Sequence, residues 1–318
     1  MPAQIFILGS LMQTFCWWVE RMPRAGESIQ ASALRLELGG KGLNVAVGMA
    51  RLGARIEVLL GCGNDHAGEA ALNLLHSEGI STRNVHRMES PSGHGAGLIT
   101  PDGQSFISIF PGANALLDAT HIEQARADLC SASMVNAQFE TAMPVIVSAF
   151  ALAHAHGVPT VLNPSPWQEP DAALKRTTHT LIVNETEAAQ LANHPRNAPP
   201  AEPEIWECAL ASIWSDWITL QRIVITLGSR GSLALVRPEA EADSTFIHSH
   251  APIITCVDST GAGDAFSCGY LWASLQKQPL IEALRWGNYC GAHVAAKRGV
   301  IEVLPSADDA YTWFKASA

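Results

Sequence analysis

Asp258-Ser259-Thr260-Gly261-Ala262-Gly263-Asp264-Ala265-Phe266 sets small residues directly ahead of an apolar helical run in Phe266, Cys268, Tyr270, Leu271 and Trp272. Such a loop delivers free backbone N–H groups onto a helix N-terminus. The unpaired donors and the helix dipole together favour an anion. Asp264 stands inside this anion hole. A carboxylate there suits a base aimed at a hydroxyl that will attack a phosphate, with the N–H groups of Gly261, Ala262 and Gly263 as the oxyanion hole. On the same residues the alternative is a Gly-rich turn with Asp264 capping the helix.

Strand and helix alternate ahead of this loop. Ile5–Leu8 is a continuous apolar run ending in Gly9-Ser10, as for a buried strand. Residues 41–53 carry a helical pattern stopped at Gly53, 56–61 a strand, and 65–78 a helix closed by Gly79. Strands are expected again at 132–138, 160–163, 180–184 and 222–228, with a helix over 142–156. This alternation predicts a mostly parallel sheet covered on both faces. Residues 95–100 and 104–110, joined through Asp102-Gly103, read instead as a hairpin, which with 29–38 forms a small β-element off the main sheet. Residues 193–206 read as a Pro-rich loop. Trp206, Trp214 and Trp217 read as packing residues rather than base stackers.

The chain has 318 residues, 47% hydrophobic and 16% charged, with a net charge of −10. That balance argues against nucleic acid or an anionic membrane as partner. The seven cysteines include no CxxC pair, and no HExxH occurs, so reduced thiols in a cytoplasmic protein are expected. The N-terminus lacks a basic n-region, and no apolar run reaches the ~18 residues of a membrane span.

Gly39-Gly40-Lys41-Gly42-Leu43-Asn44-Val45-Ala46, running on to Arg51-Leu52-Gly53-Ala54, supplies a second motif. The two motifs, in this order, resemble the signatures of the ribokinase-like (phosphofructokinase-B-type) carbohydrate kinases. The likeness runs from Gly9-Ser10 to Pro305 and is greatest to the ribokinases. It implies one α/β domain over 1–318, a three-layer sandwich with a mostly parallel central sheet. A small β-lid of about 11–38 and 95–112 is implied as well, and with it a homodimer through the lid. The implied reaction is transfer of the γ-phosphate of ATP to a hydroxyl of a sugar or sugar-like molecule, with Asp264 as general base.

The resemblance also carries over single residues. Asn184-x-x-Glu187 matches a motif associated with Mg²⁺ and phosphate through water, although its spacing equally suits a helix capping box. Thr226, Gly228 and Gly231 match the Thr-x-Gly-x-x-Gly that lines the nucleotide, and Asn288 falls at the adenine pocket. Asp258, with carbonyls of Thr260 and the 295–299 turn, would bind K⁺. Gly40, Lys41, Gly42 and Asn44 would line the sugar pocket, with Glu140 facing the sugar. Lys41 could contact a phosphate or cap the pocket. Asn44 can donate to and accept from vicinal hydroxyls.

One departure stands out. Family members carry Gly-Ser-x-Asn-x-Asp after the first strand, whereas this chain has Met12 for the Asn and Thr14 for the Asp. A carboxylate gripping two hydroxyls is hard to replace, so the pocket is expected to prefer a less hydroxylated or differently shaped acceptor, or to bind ribose weakly. Two alternatives remain: a nucleoside or sugar-phosphate kinase on this fold, and a non-catalytic sugar-binding regulator. A dinucleotide oxidoreductase is disfavoured because no GxGxxG follows the first strand.

Overall fold

Ile5 to Leu8 are apolar at every position, so their strand can be buried only between two layers. In the computed structural model, which describes residues 4–101, 105–192, 205–238 and 245–316, this strand, β1 (Gln4–Leu8), does lie between two cores. Ile5 and Ile7 join one core and Phe6 and Leu8 the other. The remaining strands are β2 (Met12–Val19), β3 (Ala31–Gly39), β4 (Arg55–Gly63), β5 (Val85–Met88), β6 (Gly93–Ile99), β7 (Ser105–Phe110), β8 (Met134–Gln138), β9 (Thr160–Asn163), β10 (Thr180–Asn184), β11 (Arg222–Thr226), β12 (Ser232–Val236) and β13 (Thr245–Ser249). The large sheet runs β13-β12-β11-β10-β9-β8-β1-β4-β5 and is parallel from β11 to β5, with β12 and β13 antiparallel at one edge.

Helices cover both faces. On one side lie α1 (Lys41–Arg51) and α2 (His66–Ser77), packed through Leu43, Val47 and Leu75. The opposite face takes α3 (Met143–Ala155), through Ile146 and Phe150. After β10 comes the short α4 (Glu185–Leu191). Further along are α5 (Ala262–Leu275) and α6 (Leu280–Ala295), which pack on each other and on the α1 side. Trp206 and Trp217 are fully buried in the α3-side core, as packing residues should be. The 193–206 loop needs one correction, since Ile205 and Trp206 begin a short helix, Ile205–Ala209, that buries the Trp. Residues 193–204 and the Asp102-Gly103 turn lie outside the described residues.

The small sheet, β3-β2-β6-β7, stands apart from the large one. Its β2 runs antiparallel to β3 and parallel to β6. Register sorts its side chains by face. Phe15, Trp17, Leu34, Leu36 and Phe106 share one face, while Thr14, Cys16, Arg35, Glu37, Gly95 and Ile109 share the other.

The joint between β1 and α1 is tightly packed. Leu43 donates its N–H to the Ser10 carbonyl at 3.2 Å. A Cβ on Gly42 would lie 2.1 Å from the Gly9 Cα and 2.6 Å from the Ser10 nitrogen. Backbone fills that space, so nothing there can swing aside. Gly42→Ala is therefore expected to destabilise the protein by roughly 1–3 kcal/mol through overpacking. The check is a lower urea midpoint at unchanged m-value; an unshifted midpoint would refute it.

Candidate active site

Gly261, in a left-handed conformation (φ 74°), is the N-cap of α5 and puts Asp264 in its first turn. The dipole favours a carboxylate there. Asp264 is only 8% exposed, so it needs partners. Asn44 Nδ2 donates to its Oδ2 at 2.7 Å, and the Lys41 ammonium stands 3.6 Å from its Oδ1. Both partners come from the start of α1. The charge of Asp264 raises the Lys41 pKa against the opposing effect of burial, with Glu140 and Glu187 adding to it. Lys41 is thus a fixed cation. Of the three expected oxyanion-hole residues, Ala262 donates its N–H to the Ser259 carbonyl at 3.2 Å. Gly261 and Gly263 make no such bond among the described residues.

The start of α1 has no side-chain cap of its own. Glu140 supplies one from 99 positions away: its Oε2 accepts the Lys41 N–H at 2.8 Å and the Ser10 hydroxyl at 2.5 Å. The expected sugar-facing residue therefore also fixes the helix that carries Lys41 and Asn44. Ser10 is the residue that sequence reasoning passed over, and its place at the end of β1 was the available signal. At Gly40 and Gly42 the space a side chain would fill is taken by the backbone of Ser10 and Gly9, so these glycines serve the joint itself. Asn44 behaves differently. Its Oδ1 is buried with no hydrogen-bond partner, an acceptor that a ligand hydroxyl would satisfy. Thr14 lies half-buried over Gly95, whose added Cβ would be 3.0 Å from the Thr14 Oγ1. The Met12 sulfur faces the amide of Asn114 at 3.5 Å.

On the other side of the α5 N-terminus lies a cavity of about 390 Å³. Of the expected nucleotide residues, Thr226, Gly228, Gly231 and Asn288 line it, together with Ala262 and Gly263. Gly231 has φ 96°, and a Cβ there would sit 2.0 Å from the Ser249 carbonyl oxygen, so the turn after β11 tolerates no side chain. Asn288 donates to the carbonyls of Ser249 (2.9 Å) and His250 (3.3 Å), which fixes the entry to the cavity wall at 251–254. That apolar wall, with Ile253 fully exposed, carried no motif in the sequence.

Asn184 and Glu187 do not line the cavity. They form a reciprocal capping box at the start of α4, each N–H donating to the other side chain at 2.9 Å. Glu187 is nonetheless buried, and burial raises its pKa against the hydrogen bonds from Asn184 and Ser165 and the charge of Lys41. With its oxygens so engaged, the carboxylate fits a water-mediated role toward Mg²⁺ rather than direct ligation. Asp258 accepts the Thr260 N–H at 2.9 Å, while the Ala295 carbonyl takes the N–H groups of Val257 and Asp258 at 2.8 and 3.2 Å. That carbonyl, one of those expected at a K⁺ site, thus already accepts two hydrogen bonds. Among the described residues no cluster of three or more His, Cys, Asp or Glu is arranged to hold a metal.

The model of the pfkB family of carbohydrate kinases matches residues 2–307, and the chain belongs to that family. Its members are sugar kinases, and the protein is a phosphotransferase of this kind. It is 27% identical to a ribokinase of Haemophilus influenzae, with 96% of each chain covered. It is 29% identical to a deoxyribokinase of Salmonella typhi, with 95% of each covered. Among solved structures, Arabidopsis thaliana ribokinase complexed with ribose and ATP superposes with a TM-score of 0.85 at 24% identity, covering 99% of both chains. Giardia lamblia ribokinase does so with a TM-score of 0.87 at 20% identity, covering 100% of both. These superpositions establish the ribokinase-like fold.

Burial raises the Glu187 pKa, so the folded protein holds that proton more tightly than the unfolded chain does. Wild-type stability should then fall as pH rises from the ordinary glutamate range toward the raised folded value, and a Gln at this position removes the decline. The Tm of Glu187→Gln relative to wild type is expected to climb across that window. Thermal denaturation of both from about pH 4 to about pH 8 checks it; a pH-independent difference would contradict it.

Proposed function

We propose that this protein transfers the γ-phosphate of ATP to a hydroxyl of a sugar or sugar-like molecule, with Asp264 as general base. The observation that carries this reading is the position of Asp264. Its carboxylate is bound to Asn44 and Lys41 on one side, and the adjoining Gly263 lines the cavity on the other. An acceptor hydroxyl beside Asn44 and a phosphate chain entering from the cavity would meet at the α5 N-terminus.

In this mechanism Asp264 takes the proton as the hydroxyl oxygen attacks the phosphorus and the bond to the departing ADP breaks. The N–H groups of Gly261 and Gly263 face the charge on the transferring oxygens. Lys41 offsets the negative charge that Asp264 and the phosphoryl group bring together. Mg²⁺, when bound with the nucleotide, supplies neutralisation of phosphate charge, and Glu187 would reach it through water. A K⁺ requirement would rest on Asp258 and Thr260 with carbonyls beyond Ala295. ATP and sugar as ligands are supported by the A. thaliana ribokinase complex.

The small sheet would close over the acceptor as a lid. Its other face exposes Leu34 (58%), Leu36 (49%) and Phe106 (65%), which supports a homodimer through that face. A sugar phosphate is a poorer acceptor candidate. The two cations near the Gly39–Asn44 turn are both engaged, Lys41 with Asp264 and Arg35 with Glu37. The deoxyribokinase relative favours a pentose or deoxypentose.

The test is ATP turnover with Mg²⁺ and K⁺ over a panel of sugars, sugar phosphates, nucleosides and polyols. Asp264→Asn is expected to lower turnover roughly 10²–10⁴-fold while retaining ATP binding. Turnover that survives this substitution would remove Asp264 as base. No turnover on any acceptor would favour a non-catalytic sugar-binding protein.

A further inference from the structure

Thr14 and Glu37 are direct partners in the antiparallel pairing of β2 with β3. Opposed residues in such a pair project to the same face. Along β3 that face is turned toward the body of the protein. Arg35, two residues from Glu37, brings its Nη2 within 4.0 Å of Glu302, and its guanidinium fills the space beside Gly299. Gly39, two residues from Glu37 in the other direction, lies beside the Asn44 side chain; a Cβ on Gly39 would be 3.5 Å from Asn44 Oδ1. That oxygen is the buried acceptor without a partner. Two residues of strand span roughly 6.5–7 Å, a distance a pentose can bridge.

We propose, resting on the sugar-kinase reading above, that Glu37 is the carboxylate that grips the acceptor in this chain. It would do from β3 what an acidic residue at position 14 of β2 would otherwise do. Its side chain is 17% exposed, and its Oε1 is held by Arg35 Nε at 2.8 Å. Its Oε2 has no hydrogen-bond partner among the described residues. Burial, aided by the nearby Glu302 and Asp258, raises the Glu37 pKa, and the Arg35 charge opposes that rise. A carboxylate anchored by Arg35 beside a Thr hydroxyl accepts hydrogen bonds from a vicinal diol, while Asn44 Oδ1 accepts from the far end of the sugar. On this account the loss of the acid at position 14 does not by itself make the pocket poorer in carboxylate, and hydroxylated pentoses remain acceptors.

The competing role for Glu37 is purely structural, as a partner that helps Arg35 tie the small sheet to the Gly299 turn. The two roles separate by rescue. Binding of D-ribose and 2-deoxy-D-ribose is measured by calorimetry on the full chain, alongside ATP turnover. Glu37→Ala is expected to weaken binding of the preferred pentose about ten- to hundredfold, with the KM for ATP unchanged. Glu37→Gln, which keeps the shape, should lose less. Adding Thr14→Asp to Glu37→Ala should restore most of the affinity, because it returns a carboxylate to the same face. Unchanged pentose affinity in Glu37→Ala overturns the proposal, as does a loss that Thr14→Asp fails to repair. So does a wild-type protein that binds neither pentose. Pentose binding without turnover in any variant would remove the kinase reading, while the affinities would still decide the role of Glu37.

Discussion

Asn44 donates a hydrogen bond to Asp264 across 220 positions of sequence, and the geometry of the site depends on that contact. It requires two helix starts to arrive at one point. The first is placed by backbone contact, with α1 seated on the end of β1 at Gly9 and Gly42 and its N-terminus held by Glu140. The second is placed by Gly261, which turns the chain into α5. Without the amide, a nearly buried carboxylate would keep only the ammonium of Lys41, 3.6 Å away. A lone hydrogen bond to a charged group contributes about 1.5–3 kcal/mol. Its larger effect is to hold Asp264 on the acceptor side while the neighbouring Gly263 faces the cavity.

The parallel sheet explains why the second half of the site gathers where it does. Asn184 and Thr226 end β10 and β11 and are direct partners in register. Loops leaving the carboxyl ends of parallel strands converge, and ligands bind in the crevice they form. The turn after β11, the wall at 251–254 and the facing sides of α5 and α6 enclose the cavity at that edge. On the proposed function the small sheet would stand over the other half, and one helix N-terminus would separate the nucleotide cavity from the acceptor pocket.

Much of this was legible in the sequence. The strands at 160–163 and 180–184 fall where their apolar runs end, because buried parallel strands have no polar face to blur the pattern. The two glycine-bearing motifs marked the helix starts, where a side chain at Gly40, Gly42 or Gly261 would collide with the backbone of Gly9 and Ser10 or with Val300. What escaped was everything set by non-local pairing. No local pattern marked β12 and β13 as an antiparallel edge. The partnership of Thr14 with Glu37 depends on a register between strands that no motif encodes. Glu140 was placed at the sugar by resemblance, yet its bonds to Ser10 and Lys41 reveal a tertiary helix cap that local capping rules cannot see. Asn184-x-x-Glu187 was ambiguous between cap and metal motif, and the geometry shows the cap while leaving Glu187 buried beside the charges of Lys41 and Asp264.

Charge poses the remaining problem, since a protein of net charge −10 must attract a polyanion. Among the described residues no charged side chain lines the cavity. Nearby cations are committed elsewhere, Lys41 to Asp264 and Arg230 to Glu185. On the proposed function, the attraction would come from oriented backbone dipoles, at the α5 N-terminus and the 228–231 turn, and from a metal arriving with the nucleotide. Dipoles fixed in place cost no reorganisation when charge develops, whereas a mobile lysine would have to be ordered first. They also act only at short range. A site built this way discriminates by position rather than by bulk attraction, which suits a protein of net negative charge.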